Sequence, residues 1–89
     1  MRFLGQIEVA EFVKAHPRQG EALRAWVAEV RHHNWPDGKA LSADFPGVDL
    51  SKQPSVVFHL RRAALTIETL VSFRTGCLLL TAIRQQPTS

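Results

Sequence analysis

The apolar positions change their period part-way along the chain. Val9, Phe12 and Val13 stand at i, i+3 and i+4, one apolar face of a helix. Glu8 and Glu11 fall in its first turn, where carboxylates complement the helix dipole. Pro17 closes it, because the residue before a proline is pushed out of helical geometry. Leu23, Trp26, Val27 and Val30 repeat the helical spacing and predict a second helix from about residue 18 to residue 33. Arg31, His32 and His33 gather at its C-terminal end, where cations meet unpaired carbonyls. Joined through residues 17–20, the two helices read as a hairpin. From Ser55 the pattern turns to strands. Ser55–Leu60 is β-branched and aromatic, and Leu65, Ile67, Val71 and Phe73 alternate with Thr66, Glu68 and Ser72. Thr69 and Leu70 interrupt that alternation, which points to a bulge or to burial on both faces. Arg74, Thr75 and Gly76 make a tight turn into residues 77–83, apolar everywhere except Thr81 and so expected mid-sheet with both faces covered.

Residues 1–7, with Phe3, Leu4 and Ile7 among polar neighbours, give a short edge strand. Residues 34–54 hold Pro36, Gly38, Pro46, Gly47 and Pro54 and read mostly as loop, with Asp37 capping a short helical turn over residues 39–43. The expected fold is α+β in the order β-α-α-β-β-β. An antiparallel C-terminal meander carries the helical hairpin on one face, in a single domain over residues 1–89.

Charge sharpens this picture because it is uneven. The first 48 residues carry six Lys and Arg against six Asp and Glu; the remaining 41 carry five against two. The whole net charge of +3 therefore lies in the second half, as Lys52, Arg61, Arg62, Arg74 and Arg84 against Asp49 and Glu68. Arginine's planar fork suits phosphate, so an anionic partner is expected, nucleic acid before others. A solvated surface with an incidental excess is the plain alternative. The lone Cys77 excludes an intramolecular disulfide and a cysteine-built zinc site. No apolar run approaches the roughly 20 residues of a membrane helix, and the opening residues lack a signal-peptide core. A soluble cytoplasmic protein without membrane contact is expected.

Candidate chemistry is sparse. No GxxxxGK[ST] loop, GxGxxG or HExxH occurs, and tyrosine is absent. His32 and His33 are adjacent on a helix, about 100° apart, and cannot share one metal. Neither a metal nor a cofactor is expected. Trp26 belongs to the apolar stripe, Trp35 to packing beneath the helix end, and His16 to a helix terminus. His59 alternates with Phe58 and Leu60 and should face away from the core, beside Arg61 and Arg62. Cleavage of RNA by its own 2′-hydroxyl requires a proton carrier and cationic support for the phosphorane, which His59, Arg61 and Arg62 supply as candidate catalytic residues. Arg61, Arg62, Arg74 and Arg84 are the candidate RNA-binding residues. A polar turn at the end of a solvent-facing strand accounts for the same residues without chemistry.

Several stretches in order resemble the HigB-type toxins of bacterial toxin–antitoxin modules, in the RelE-like superfamily. Glu11-Phe12-Val13-Lys14-Ala15-His16-Pro17 resembles that family's first helix and its ending. Leu23-Arg24-Ala25-Trp26 and the Asn34-Trp35 close resemble its second. Leu41-Ser42-Ala43-Asp44-Phe45-Pro46 resembles the segment ending in Phe-Pro, and Ser55-Val56-Val57-Phe58 the strand after it. The resemblance runs over about residues 3–83. It implies a RelE-like α+β fold, a metal-independent endoribonuclease that cuts mRNA on the ribosome, and a helix-turn-helix antitoxin as partner. The chain departs from the pattern in places. Ser42 replaces the lysine before Phe-Pro, Arg61-Arg62-Ala63-Ala64 replaces a glycine-rich turn, and Thr66 and Thr81 stand where arginines are usual. Gln85-Gln86-Pro87-Thr88-Ser89 stands where the family carries Thr-His and then Glu-Tyr-Asp. Those are the groups that resemblance assigns to RNA binding and proton transfer. Three expectations follow: a toxin with a weakened site, a toxin-fold module that only binds an antitoxin, ribosome or nucleic acid, and a structural domain whose basic half is incidental.

Overall fold

The computed structural model describes residues 1–86. The chain forms β1 (Arg2–Leu4), α1 (Gln6–Ala15), α2 (Pro17–His32), α3 (Gly38–Asp44), β2 (Asp49–Lys52) and β3 (Ser55–Leu60). A 3-10 turn at Arg61–Ala63 leads into β4 (Leu65–Ser72) and β5 (Cys77–Gln85). The five strands form one sheet in the order β1-β5-β4-β3-β2, with β1 parallel to β5 and every other pair antiparallel. The α+β class is as expected, and the antiparallel meander of β3, β4 and β5 is present. Two elements are added to the expected order. Asp37 does cap a helix, accepting from the Ala40 backbone N–H at 2.9 Å, and that helix fills α3. β2 falls where a loop is expected: its four residues are mostly exposed, so no apolar alternation announces it.

Pro17 begins α2 rather than joining a loop. His16 alone links the helices, with φ −134° and ψ 74°, and proline takes the first position, where its missing N–H costs nothing. The helices approach closely because Gly20 is buried at their crossing; a Cβ there would meet Val13 side-chain atoms at 3.0 Å. Gly5 makes the second tight passage. Its φ of 129° turns β1 into α1 over Leu80, whose Cβ lies 2.7 Å from where a Gly5 Cβ would stand.

α2 covers one face of the sheet. Leu23, Trp26 and Val30 are buried against Phe3, Val56, Phe58, Leu65, Ile67, Leu78 and Leu80. Trp26 sits at the centre, edge-on to Phe3 (centroids 5.8 Å apart) and to Phe58 (5.1 Å). Its indole N–H is buried without an acceptor among the described residues. Trp35 is also buried, donating to Asp44 Oδ2 at 2.6 Å and packing on Phe45. Both tryptophans therefore lie where the apolar stripe and the helix end put them.

The other face of the sheet has no helix over it. β4 alternates without a break, but with polarity exchanged at two positions: Thr69 points into the core and Leu70 outward. Burying Thr69 is offset by its hydroxyl, which donates to the Val56 carbonyl at 2.7 Å. The irregularity suspected at this point lies across the ladder. Leu80 pairs with Thr69 and Ala82 with Glu68, so Thr81 is the extra residue on β5. β5 is interior to the sheet, as expected, but only one of its faces is covered. Leu79, on the open face, keeps 41% of its surface exposed.

Candidate nucleic-acid interface on the open sheet face

His59 lies on the open face, as its alternation with Phe58 implies. It pairs with Thr66 on β4, and Thr66 pairs with Arg84 on β5. His59, Thr66 and Arg84 thus form one row across three strands at one end of the sheet. With strands about 4.8 Å apart, the outer two lie roughly 10 Å from each other, room for a phosphate between them. Thr66 presents a hydroxyl in the middle, and that hydroxyl accepts from Gln86 Nε2 at 3.1 Å.

Charge around the row is partly neutralised. Arg84 donates through Nε to a carboxylate oxygen of Glu68, two positions along β4, and this is the one ion pair among the described residues. Asp49 on β2 adds a second carboxylate, paired in register with Val57. Its carboxyl is held below the ordinary carboxylate range, chiefly by Ser51, whose hydroxyl and backbone N–H donate to Oδ1 at 2.6 and 2.9 Å. The positive fields of His59 and Lys52 act in the same direction to a smaller extent.

Arg61 and Arg62 occupy the turn after β3, at the same end of the sheet as His59 and Arg84. They lie toward the helix-covered side rather than on the open face. Both line a groove with Ala22, Trp26 and Glu29 of α2 and with Phe45. The turn closes through Ala64 in left-handed geometry (φ 55°), a position that favours glycine and costs alanine roughly 1–2 kcal/mol. Arg74 does not join the others. It lies in the turn between β4 and β5 at the opposite end, and the eight residues of β4 put roughly 23 Å between the two ends. The expectation that Arg61, Arg62, Arg74 and Arg84 cluster on one face beside a short sheet is corrected. Arg84 is on the open face, Arg61 and Arg62 share its end of the sheet but line a groove with α2, and Arg74 stands at the far end because β4 is long.

One polar group at the basic end was not visible in the sequence. Gln85 Nε2 lies 2.9 Å from His16 Nδ1 and donates to Gln19 Oε1 at 2.9 Å, while Gln19 Nε2 donates to the Ala63 carbonyl at 2.7 Å. His16, packed at a tilt against Phe12, ties the junction of the two helices to the end of β5, and Gln19 continues the link to the arginine turn. Contacts between residues 69 apart leave no local signal; only the proline after His16 hinted that its side chain ends a helix. Among the described residues no group of three or more His, Cys, Asp or Glu side chains is arranged to hold a metal. No helix among the described residues is long and apolar enough to cross a membrane. Pro87, Thr88 and Ser89, which carry part of the departure from the toxin pattern, lie outside the described residues.

No model of a known protein family matches the chain, and no curated protein matches it either.

Proposed function

We propose that the chain is a toxin of the HigB kind with a RelE-like fold, an RNA-binding protein whose open sheet face carries a modest metal-independent endoribonuclease. The observation that carries the reading is the row His59–Thr66–Arg84 on an uncovered face, with Arg61 and Arg62 in the turn that follows the strand of His59. The residue-by-residue resemblance and the order of a short parallel edge strand, two helices and a meander support it. RNA would lie along the row with a phosphate between His59 and Arg84. His59 takes the proton of the 2′-hydroxyl as that oxygen attacks phosphorus. The arginines stabilise the charge gathering on the phosphorane. The 5′-oxygen leaves and is protonated by water, which yields a 2′,3′-cyclic phosphate and a 5′-hydroxyl. The expected partners are an antitoxin of the helix-turn-helix kind and translated mRNA on the ribosome, in the cytoplasm.

A second reading, binding without cleavage, is favoured by two observations. Glu68 holds Arg84, and His59 is the one histidine on the open face among the described residues. No second side chain there supplies the leaving oxygen with a proton. Expression of the chain without a partner, with primer-extension mapping of cellular mRNA, separates the readings. The proposal expects growth arrest and cleaved messages, with cleavage by His59→Ala reduced about 10²–10⁴-fold, the range of a lost general base. Uncut mRNA bound by the wild-type chain would establish the binding module instead. A chain that neither binds nor cuts RNA would end both.

A further inference from the structure

Among the described residues, four large apolar side chains are strongly exposed: Leu4 (41%), Ile7 (73%), Leu70 (43%) and Leu79 (41%). Scattered singly, such residues are ordinary; these four are contiguous. Leu4 pairs in register with Leu79, and Leu79 with Leu70, so three leucines form a row across β1, β5 and β4 on the open face. Ile7, in the first turn of α1, lines a hollow with Leu4 and Leu79 beside the free edge of β1. The patch occupies the end of the sheet opposite His59 and Arg84.

Its rim is basic. Arg2 lies two positions before Leu4 on the same side of β1, and Arg31, from the last turn of α2, borders the same hollow together with Glu8. Arg74 shares a second hollow with Arg2 at the neighbouring strand ends. None of the three arginines has an ion pair among the described residues.

We infer that this corner docks a segment of another protein that presents leucine-like side chains on one face and carboxylates beside them. The apolar row is the centre of such an interface and the arginines its charged rim. A second copy of this chain fits poorly, because a two-fold contact over the patch would bring two basic rims together with Glu8 the one carboxylate lining the hollow to offset them. RNA fits poorly as well, since the four exposed side chains at the centre are all aliphatic and the one ring beside them, the half-buried Phe73, lies in the hollow of Arg2 and Arg74.

The test titrates the isotope-labelled full chain with two synthetic peptides, followed by backbone amide shifts. Each has roughly 20 residues, enough to form a helix, with leucine at i, i+3, i+4 and i+7. One carries glutamate at the flanking positions and the other lysine. The inference expects the glutamate peptide to shift the amides of Leu4, Ile7, Leu70 and Leu79 and to bind at least about tenfold more tightly than the lysine peptide. Leu79→Ser should weaken both peptides. The exposed double variant Arg2→Glu with Arg31→Glu should reverse the preference, and it keeps the test decisive if Leu79→Ser disturbs the sheet. Equal binding of the two peptides, or shifts confined to other surfaces, would overturn the inference. So would a dimer in sedimentation that Leu79→Ser dissociates, or an RNA oligonucleotide that shifts these four amides in the peptides' place.

Discussion

The open face of the sheet has two ends, both basic and built on the same strands, yet they offer different chemistry. At the end of Leu60, Leu65 and Gln85, the outward positions are His59, Thr66 and Arg84: a titratable ring, a hydroxyl and a guanidinium. At the end of β1, the outward positions are Leu4, Leu79 and Leu70, with arginines only around them. The helix-covered face beneath is mostly apolar, broken by the buried Thr69 and, at the end of β5, by Gln85. The contrast teaches that net charge alone does not locate a function. A phosphate is held where cations accompany hydrogen-bonding groups; a protein segment is held where cations surround apolar ones. Arg74 shows the difference, since its charge is that of Arg84 but its neighbours are those of the leucine end.

The comparison depends on a sheet held in shape from below, so its largest test is the core. Trp26→Ala should remove about 3–5 kcal/mol of stability as a large-to-small core change, measured by urea unfolding, and should weaken both ends together. A loss confined to one end would show that the two do not share one scaffold. His59→Ala comes next. It should leave the unfolding midpoint unchanged while the cyclic-phosphate product falls by about two to four orders of magnitude, and peptide binding at the leucine end should be untouched. Glu68→Gln should release Arg84. The pair is exposed, with 69% of the Arg84 side chain in solvent, so stability should move by no more than about 1 kcal/mol while RNA binds a few-fold more tightly. Unaltered RNA affinity would mean that Arg84 does not meet phosphate.

The smallest effect concerns Asp49 beside the histidine end. Its midpoint is lowered in the folded chain, so the contribution of its charged form is present above the ordinary carboxylate range and is lost as pH falls through the lowered midpoint. In a carboxyl-detected NMR titration, Ser51→Ala should bring that midpoint back up, because the Ser51 hydroxyl is the largest cause of the shift. A midpoint unmoved by Ser51→Ala would assign the shift to His59 and Lys52 instead.

The helical layer was legible because its signal is local. Leu23, Trp26 and Val30 mark one stripe, Asp37 caps the helix it precedes, and Pro17 separates two helices even though it begins the second. The outward direction of His59 was legible for the same reason, since alternation within one strand fixes it. What escaped depends on partners distant in sequence. β2 has a single half-buried residue, Leu50, and is a strand only because β3 lies beside it. Residues 77–83 look apolar enough for burial on both faces, and nothing in them tells that Leu79 stays in solvent beside Leu4 and Leu70. The separation of Arg74 from Arg61, Arg62 and Arg84 followed from the uninterrupted length of β4, which the Thr69–Leu70 exchange had concealed. His16 met Gln85 only once the sheet was assembled.

The central claim is that RNA is held at the histidine end of the open face, and salt-dependent binding of single variants tests it most directly. Affinity for a short single-stranded RNA should be measured against salt concentration for the wild-type chain, Arg84→Ala and Arg74→Ala. The two arginine-to-alanine charge changes being equal in sign and size, position alone distinguishes them. The account predicts that Arg84→Ala weakens binding and lowers the salt slope by about one, the value for one lost phosphate contact, while Arg74→Ala leaves both unchanged. Equal losses in the two variants, or a wild-type affinity indifferent to salt, would contradict it.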